Sequence, residues 1–147
     1  MDTKPFIVAP KDYARALDVV GTKITVLATN AVTSGYEITI QEGDEGTGPP
    51  PHSHDWDEAF FILEGTVEFS CGGKTLSCVP GTLVHLPGGT VHAFCFGAGG
   101  GKMLEMTGAG SQASQMFTNI DRETEPGPPD IPKLVELLRK NGVTVAE

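Results

Sequence analysis

One hairpin signal does most to restrict the fold of this chain. Val67, Phe69 and Cys71 alternate with Glu68 and Ser70, and Leu76 and Cys78 alternate with Thr75 and Ser77. A period of two is the signature of strands, with one face inward and one toward water. Between the two runs stands Gly72-Gly73, and a two-residue hairpin turn needs positive φ at both central positions. The predicted register pairs Cys71 with Lys74, Phe69 with Leu76 and Val67 with Cys78. Cys71 and Cys78 are then not opposite each other, so no disulfide is expected between them. All three cysteines, Cys95 included, read as free thiols.

The rest of the chain repeats this pattern of short strands cut by Gly and Pro. Nineteen Gly and eleven Pro occur among 147 residues, too few for low-complexity disorder and well suited to an all-β domain. Strands are predicted at 22–28, 35–41, 59–63, 66–71, 74–78, 82–86, 92–96 and 103–107, with 97–101 as a connecting loop. One helix is predicted near the C-terminus. Asp130 caps it, Pro132 fits its first turn, Ile131, Leu134, Leu137 and Leu138 form its apolar stripe, and Gly142 closes it. That stripe is expected to dock on the strands without a catalytic role. Residues 12–17 are expected to form a short helical turn. The length suits one domain over 1–147, with strands over about 22–120 and the helix over about 130–141.

Nineteen acidic residues against ten basic ones give a net charge of -9. Without Lys/Arg clusters, nucleic-acid binding is excluded. The apolar runs are too short to span a bilayer, and Met1 to Pro10 lack the basic and apolar regions of a signal peptide. A cytoplasmic protein is expected.

All four histidines fall between positions 52 and 92. His52 and His54, spaced i and i+2, share one face of a strand, with Cα atoms about 6.5–7 Å apart. Both rings can then reach one ion. A reversal through Asp55-Trp56-Asp57 is predicted to put Glu58 opposite His54 on the neighbouring strand. His92, after the turn Pro87-Gly88-Gly89, is the expected fourth ligand. His85 is assigned a surface or structural role.

These residues resemble the two motifs of the cupin superfamily. Gly46, His52, His54, Glu58 and Gly65 are spaced like the first motif, and Gly81, Pro87, Gly89 and His92 like the second. Phe96 stands where the second motif usually has Asn, which suggests a more apolar pocket wall. The resemblance implies a jelly-roll barrel, the cupin-type double-stranded β-helix, as a homodimer with a metal inside. His52, His54, Glu58 and His92 would be its ligands. Three imidazoles and a carboxylate suit iron, manganese, nickel, copper or zinc.

If Glu58 and His92 point inward, alternation sends Phe60, Ile62, Phe94 and Phe96 inward too. Tyr36, Ile38 and Ile40 form one face of an earlier strand and are expected to join them. Trp56 lies at the turn beside the ligands, and Met116 and Phe117 are expected at the mouth. Tyr36, Trp56, Phe60, Phe94, Phe96 and Phe117 are the expected substrate pocket. Such a cavity suits a small apolar or aromatic substrate with an oxygen ligand, and the scarcity of basic residues near the motifs disfavours polyanions. The chain also resembles the quercetin dioxygenase-like branch of small bacterial cupins, which implies a metal-dependent oxygenase acting on an enol or phenol. Glu58 would serve as ligand and general base. A redox-neutral cyclase, lyase or isomerase, or a non-catalytic binding module, would use the same site.

Overall fold

The computed structural model describes residues 3–146. Among the described residues nine strands form one curled antiparallel sheet, a jelly roll with three helices. The strands are β1 (Leu17–Val19), β2 (Thr22–Ala28), β3 (Glu37–Gly43), β4 (His52–Ser53), β5 (Glu58–Cys71), β6 (Lys74–Cys78), β7 (Leu83–Leu86), β8 (His92–Thr107) and β9 (Thr144–Val145). The helices are α1 (Asn30–Thr33), α2 (Ala113–Glu123) and α3 (Ile131–Lys140), and Pro10–Asp12 make one 3-10 turn.

Two long strands make the curl. The first part of β5 pairs with the last part of β8, from Glu58 opposite Thr107 to Gly65 opposite Gly101. The second part of β5 pairs with the start of β8, from Val67 opposite Phe96 to Cys71 opposite His92. The ladder shifts register between Ile62 and Glu64 and between Gly65 and Val67, and such irregularities bend a sheet sharply. One half of the β5/β8 pair continues through β3, β2 and β1, and the other through β4 and β9. Residues 97–101 are therefore part of a continuous strand, not the loop expected from five glycine-rich positions. At the bend the backbones nearly touch. Gly65 has φ +68°, and a Cβ there would lie 2.1 Å from the Gly100 carbonyl oxygen, so only glycine fits.

The β5–β6 hairpin has the predicted register residue for residue, and all three cysteines are free. Its burial is less regular than alternation suggests. Val67, Phe69 and Cys78 are buried while Leu76, opposite Phe69, stands in solvent on an edge strand that, among the described residues, pairs with β5 alone.

One core fills the barrel around Phe60, Ile62, Val67, Phe69, Phe96 and Met103. A second joins Ile24 and Trp56 to α2 and α3 through Met116, Phe117, Ile120 and Leu137. Helix α2 was not expected. Its buried positions Ala113, Met116, Phe117 and Ile120 follow the i, i+3, i+4, i+7 spacing of a helix face. Its first turn rests on the buried Glu37 carboxylate, which accepts from Ser114 N at 2.9 Å, Ser114 Oγ at 2.5 Å and Ser111 Oγ at 3.2 Å. An anion at a helix N-terminus satisfies donors that lack intrahelical partners. Asp130 caps α3 as predicted, accepting from Lys133 N at 3.2 Å.

Candidate metal centre

Backbone geometry brings the four predicted residues to one place. His52 on β4 pairs directly with His92 on β8. His52 is held from its other side by Val145 of β9, and Ala146 N donates to Pro51 O at 2.9 Å. The chain end thus fastens the short strand that carries His52. His54 and Glu58 meet across the turn 55–57 and not across a ladder. In the ladders Glu58 faces Leu86 and Thr107, while its contact with His54 comes from the tight reversal. Asp57 ties this turn to the loop before His92. Its carboxylate accepts from Gly88 N at 2.8 Å, and Gly89 N donates to His54 O at 2.8 Å.

The ligating atoms of His52, His54 and His92 all lie within 4.8 Å of one another. Each ring donates its Nδ1–H to a backbone carbonyl: His52 to Pro50 O at 2.8 Å, His54 to Trp56 O at 3.0 Å and His92 to Thr90 O at 2.8 Å. A carbonyl oxygen only accepts, so these bonds place the proton on Nδ1 and leave a lone pair on each Nε2. The Glu58 carboxylate lies 3.1 Å from His54 Nε2 and 3.3 Å from His92 Nε2. Neither approach is aligned as a hydrogen bond, and both nitrogens are buried without one. Buried lone pairs without partners are costly in a folded protein. A cation that all three Nε2 atoms and Glu58 can reach removes that cost, so the donor set fits a divalent metal.

Without an ion the electrostatics favour a proton on His92 beside Glu58, and a cation bound at Nε2 would displace it. Burial holds the His52 imidazole down at about 4, with the neighbouring His92 ring adding to the effect. Burial pushes the Glu58 carboxyl upward, but the His54 and His92 rings outweigh it and bring it to about 2. For His92, burial pulls downward and the Glu58 carboxylate overrides it, so the ring is raised. The site therefore offers an ionised carboxylate among imidazoles. Trp56 stacks on His54, with ring centroids 4.4 Å apart and planes 7° from parallel, and fixes the ring plane.

The cluster stands at the wall of a cavity of about 600 Å³. Trp56, Phe60, Phe94 and Phe117 line it, as does Met116. Phe96 is packed in the barrel core instead, and Tyr36 is 51% exposed, away from the cavity. The parity of β3 is opposite to the expectation. Glu37, Thr39 and Gln41 point inward and Ile38 and Ile40 outward. Both faces of this strand carry plausible core residues, and the bonds made by Glu37 decide between them. Helix α3 contributes Ile131, Leu134, Val135 and Leu138 to the lining, so its stripe is cavity wall and not merely a docking face. His85 lies on the outer face of β7, exposed. Gln41 and Glu105, two buried polar residues of the cavity wall, were not anticipated. The available signal was that Glu105 shares the face of Met103 and Thr107, both buried, and alternates with Leu104 and Met106.

Residues 36–106 match the cupin domain family. Over 77 residues, 50% of this chain, the sequence is 27% identical to a quercetin 2,3-dioxygenase of Bacillus subtilis, and the chain spans 23% of the length of that relative. An RmlC-like cupin from Shewanella frigidimarina superposes with a TM-score of 0.64 at 16% identity, over 74% of this chain and 95% of the other. The polyketide cyclase RemF from Streptomyces resistomycificus gives a TM-score of 0.60 at 22% identity, over 71% and 80% of the two chains. At these identities the structural likeness is one of fold.

Proposed function

We propose, for a chain that belongs to the cupin superfamily, that this site is a metal-dependent oxygenase centre for a small apolar or aromatic enol or phenol. The observation that carries this reading is the set of three Nε2 lone pairs and one carboxylate at the wall of an apolar cavity. A divalent metal held by His52, His54, Glu58 and His92 would supply a Lewis acid and open positions for a substrate oxygen and dioxygen. The backbone carbonyls of Pro50, Trp56 and Thr90 orient the three rings. Glu58, ionised beside two imidazoles and held at about 2, is a weak base on its own, so it would accept the proton only of an enol or phenol acidified by the bound metal. Trp56, Phe60, Phe94 and Phe117 exclude water and pack on the substrate ring. The partial likeness to a quercetin 2,3-dioxygenase supports an oxygenase.

Oxygen uptake tests it. The metal-loaded protein is expected to consume dioxygen with a flavonol, a dihydroxyaromatic or a diketone, and no uptake with any of the three would contradict the reading. A redox-neutral cyclase or lyase reaction uses the same carboxylate as base. The likeness in fold to a polyketide cyclase favours keeping that alternative, and turnover under strict anaerobiosis identifies it.

The same reading takes the chain as a single cupin domain acting as a cytoplasmic homodimer. Three free thiols support a reducing compartment. The outer face of β5 and β7, with Phe61 at 38% and Leu83 at 61% exposure, supports pairing with a second copy. Among the described residues no helix is long and apolar enough to cross a membrane.

A further inference from the structure

We infer that Gln41 and Glu105 form a second polar pole of the cavity that recognises a neutral hydroxyl group on the ligand, one to two ladder steps along the same wall from the oxygen directed at the histidines. The inference deepens the proposed function and rests on it for the identity of the first pole.

The ladders place the two poles. Glu58 pairs with Thr107 on β8, and Phe60 pairs with Glu105, so Glu58 and Glu105 are diagonal neighbours on one face. Gln41 pairs with Met103, which makes Gln41 and Glu105 diagonal neighbours across β3 and β8. A polar row thus runs from Glu58 through Glu105 to Gln41 across three strands. Each diagonal step spans roughly 7–8 Å, a distance of the order of one aromatic ring with its substituents.

Both residues are buried, Gln41 at 3% and Glu105 at 4% exposure, and both line the cavity. The Thr39 hydroxyl donates to Glu105 Oε1 at 3.0 Å. The contrast with Glu37 is informative. That carboxylate accepts from Asn30 N, Ser111 Oγ, Ser114 N and Ser114 Oγ, and its work is to hold a helix. Glu105 caps no helix and ties no turn. Gln41 also hydrogen-bonds the Glu105 carboxyl, so the two side chains hold each other as one fixed polar patch in an otherwise apolar wall, with spare hydrogen-bonding capacity toward the cavity.

The chemistry of the pole selects its ligand. Among the described residues no Lys or Arg lines the cavity, so an anionic group would lie there without a counter-charge. Burial raises the Glu105 carboxyl well above the usual range, and the nearby Glu58 charge adds to the effect. A hydroxyl both accepts from an amide N–H of Gln41 and donates to a carboxyl oxygen of Glu105. A carbonyl could accept from Gln41 and from the neutral carboxyl but leaves their acceptor oxygens unused, and a hydrocarbon can do neither. The ligand class is therefore an enol or phenol that carries a further hydroxyl one ring away.

The test is anaerobic binding of 3-hydroxyflavone and of the set of isomeric dihydroxyflavones that add one hydroxyl to it, followed by absorbance, on metal-loaded and metal-free protein. At least one isomer is expected to bind the wild type about tenfold tighter than 3-hydroxyflavone, the size of one good hydrogen bond to buried partners. Gln41→Leu and Glu105→Leu should bring that ratio to about one, and Glu105→Gln, which keeps a donor and an acceptor, should restore it. Should Glu105→Leu fail to fold, Gln41→Leu against Glu105→Gln carries the comparison. The inference is overturned if no isomer gains, if none of these probes binds either form, or if Gln41→Leu leaves the ratio intact. Failure of the metal-centre reading looks different: flavonol affinity would be equal with and without metal, while hydroxyl discrimination would persist.

Discussion

His52 and His92 stand directly opposite each other on β4 and β8, with ring centroids 4.3 Å apart. One rung of the sheet therefore carries two of the four candidate ligands. The other two, His54 and Glu58, are joined to that rung by a turn and not by a ladder. The rigidity of the centre thus depends on how well that turn is fastened.

Asp57 is the fastening. Its carboxylate binds Gly88 N at 2.8 Å, linking the turn of His54 and Glu58 to the loop of His92. Asp57→Ala is expected to cost about 1 kcal/mol of stability and to speed loss of bound metal to a chelator. Thermal melting and a chelator exchange assay read the two effects. Unchanged exchange would mean that the loops are held by other contacts.

The curl of the barrel is tested at Gly65. A side chain there must adopt φ near +68° and place its Cβ against the Gly100 carbonyl. Gly65→Ala is expected to destabilise by about 1–3 kcal/mol, seen as a lower urea midpoint with an unchanged slope. A neutral effect would show that β5 and β8 do not approach this closely.

Much of this architecture was legible in the chain. The Gly72-Gly73 turn set the hairpin register, because two positive-φ positions allow only one short connection. The histidine and glutamate spacing located the cluster. Of the features that escaped, two did so for physical reasons visible in the fold. The strand at Glu37–Gly43 has apolar residues at one parity and polar ones at the other, and its inward face follows from the bonds of Glu37 to α2, which are remote in sequence. Residues 97–101 read as a loop because glycine-rich runs usually are loops, yet here small residues let two bent strands pack closely. The pocket was half legible: Phe60 and Phe94 follow from alternation with Glu58 and His92, whereas Glu105 and Gln41 line it despite their polarity.

Stability should fall on the acid side through Asp121. Its carboxylate is held below the usual carboxylate range, first by the hydrogen bonds from Arg15 and then by the bond from Asp18 N. A depressed folded-state value means that the contribution is fully present above the unfolded value of about 3.9 and is lost as pH falls through the folded one. Asp121→Asn should therefore be less stable than the wild type at neutral pH, and the gap should narrow on acidification. Urea unfolding of both proteins across that range checks it, and a gap independent of pH would contradict it.

The outer sheet face predicts the assembly. Phe61 and Leu83 pair across β5 and β7 and leave apolar surface in solvent. The wild type is expected to sediment as a dimer, and Phe61→Glu with Leu83→Glu as a monomer with its fold intact by circular dichroism. A wild type that sediments as a monomer at high concentration would contradict the homodimer.

Elemental analysis bears most directly on the central claim. Protein purified without added metal and then offered a divalent transition metal should retain about one ion per chain. His52→Ala with His54→Ala should retain none while keeping the strand signature by circular dichroism. Retention by the double variant equal to the wild type, or no retention by either, would contradict a metal centre at His52, His54, Glu58 and His92.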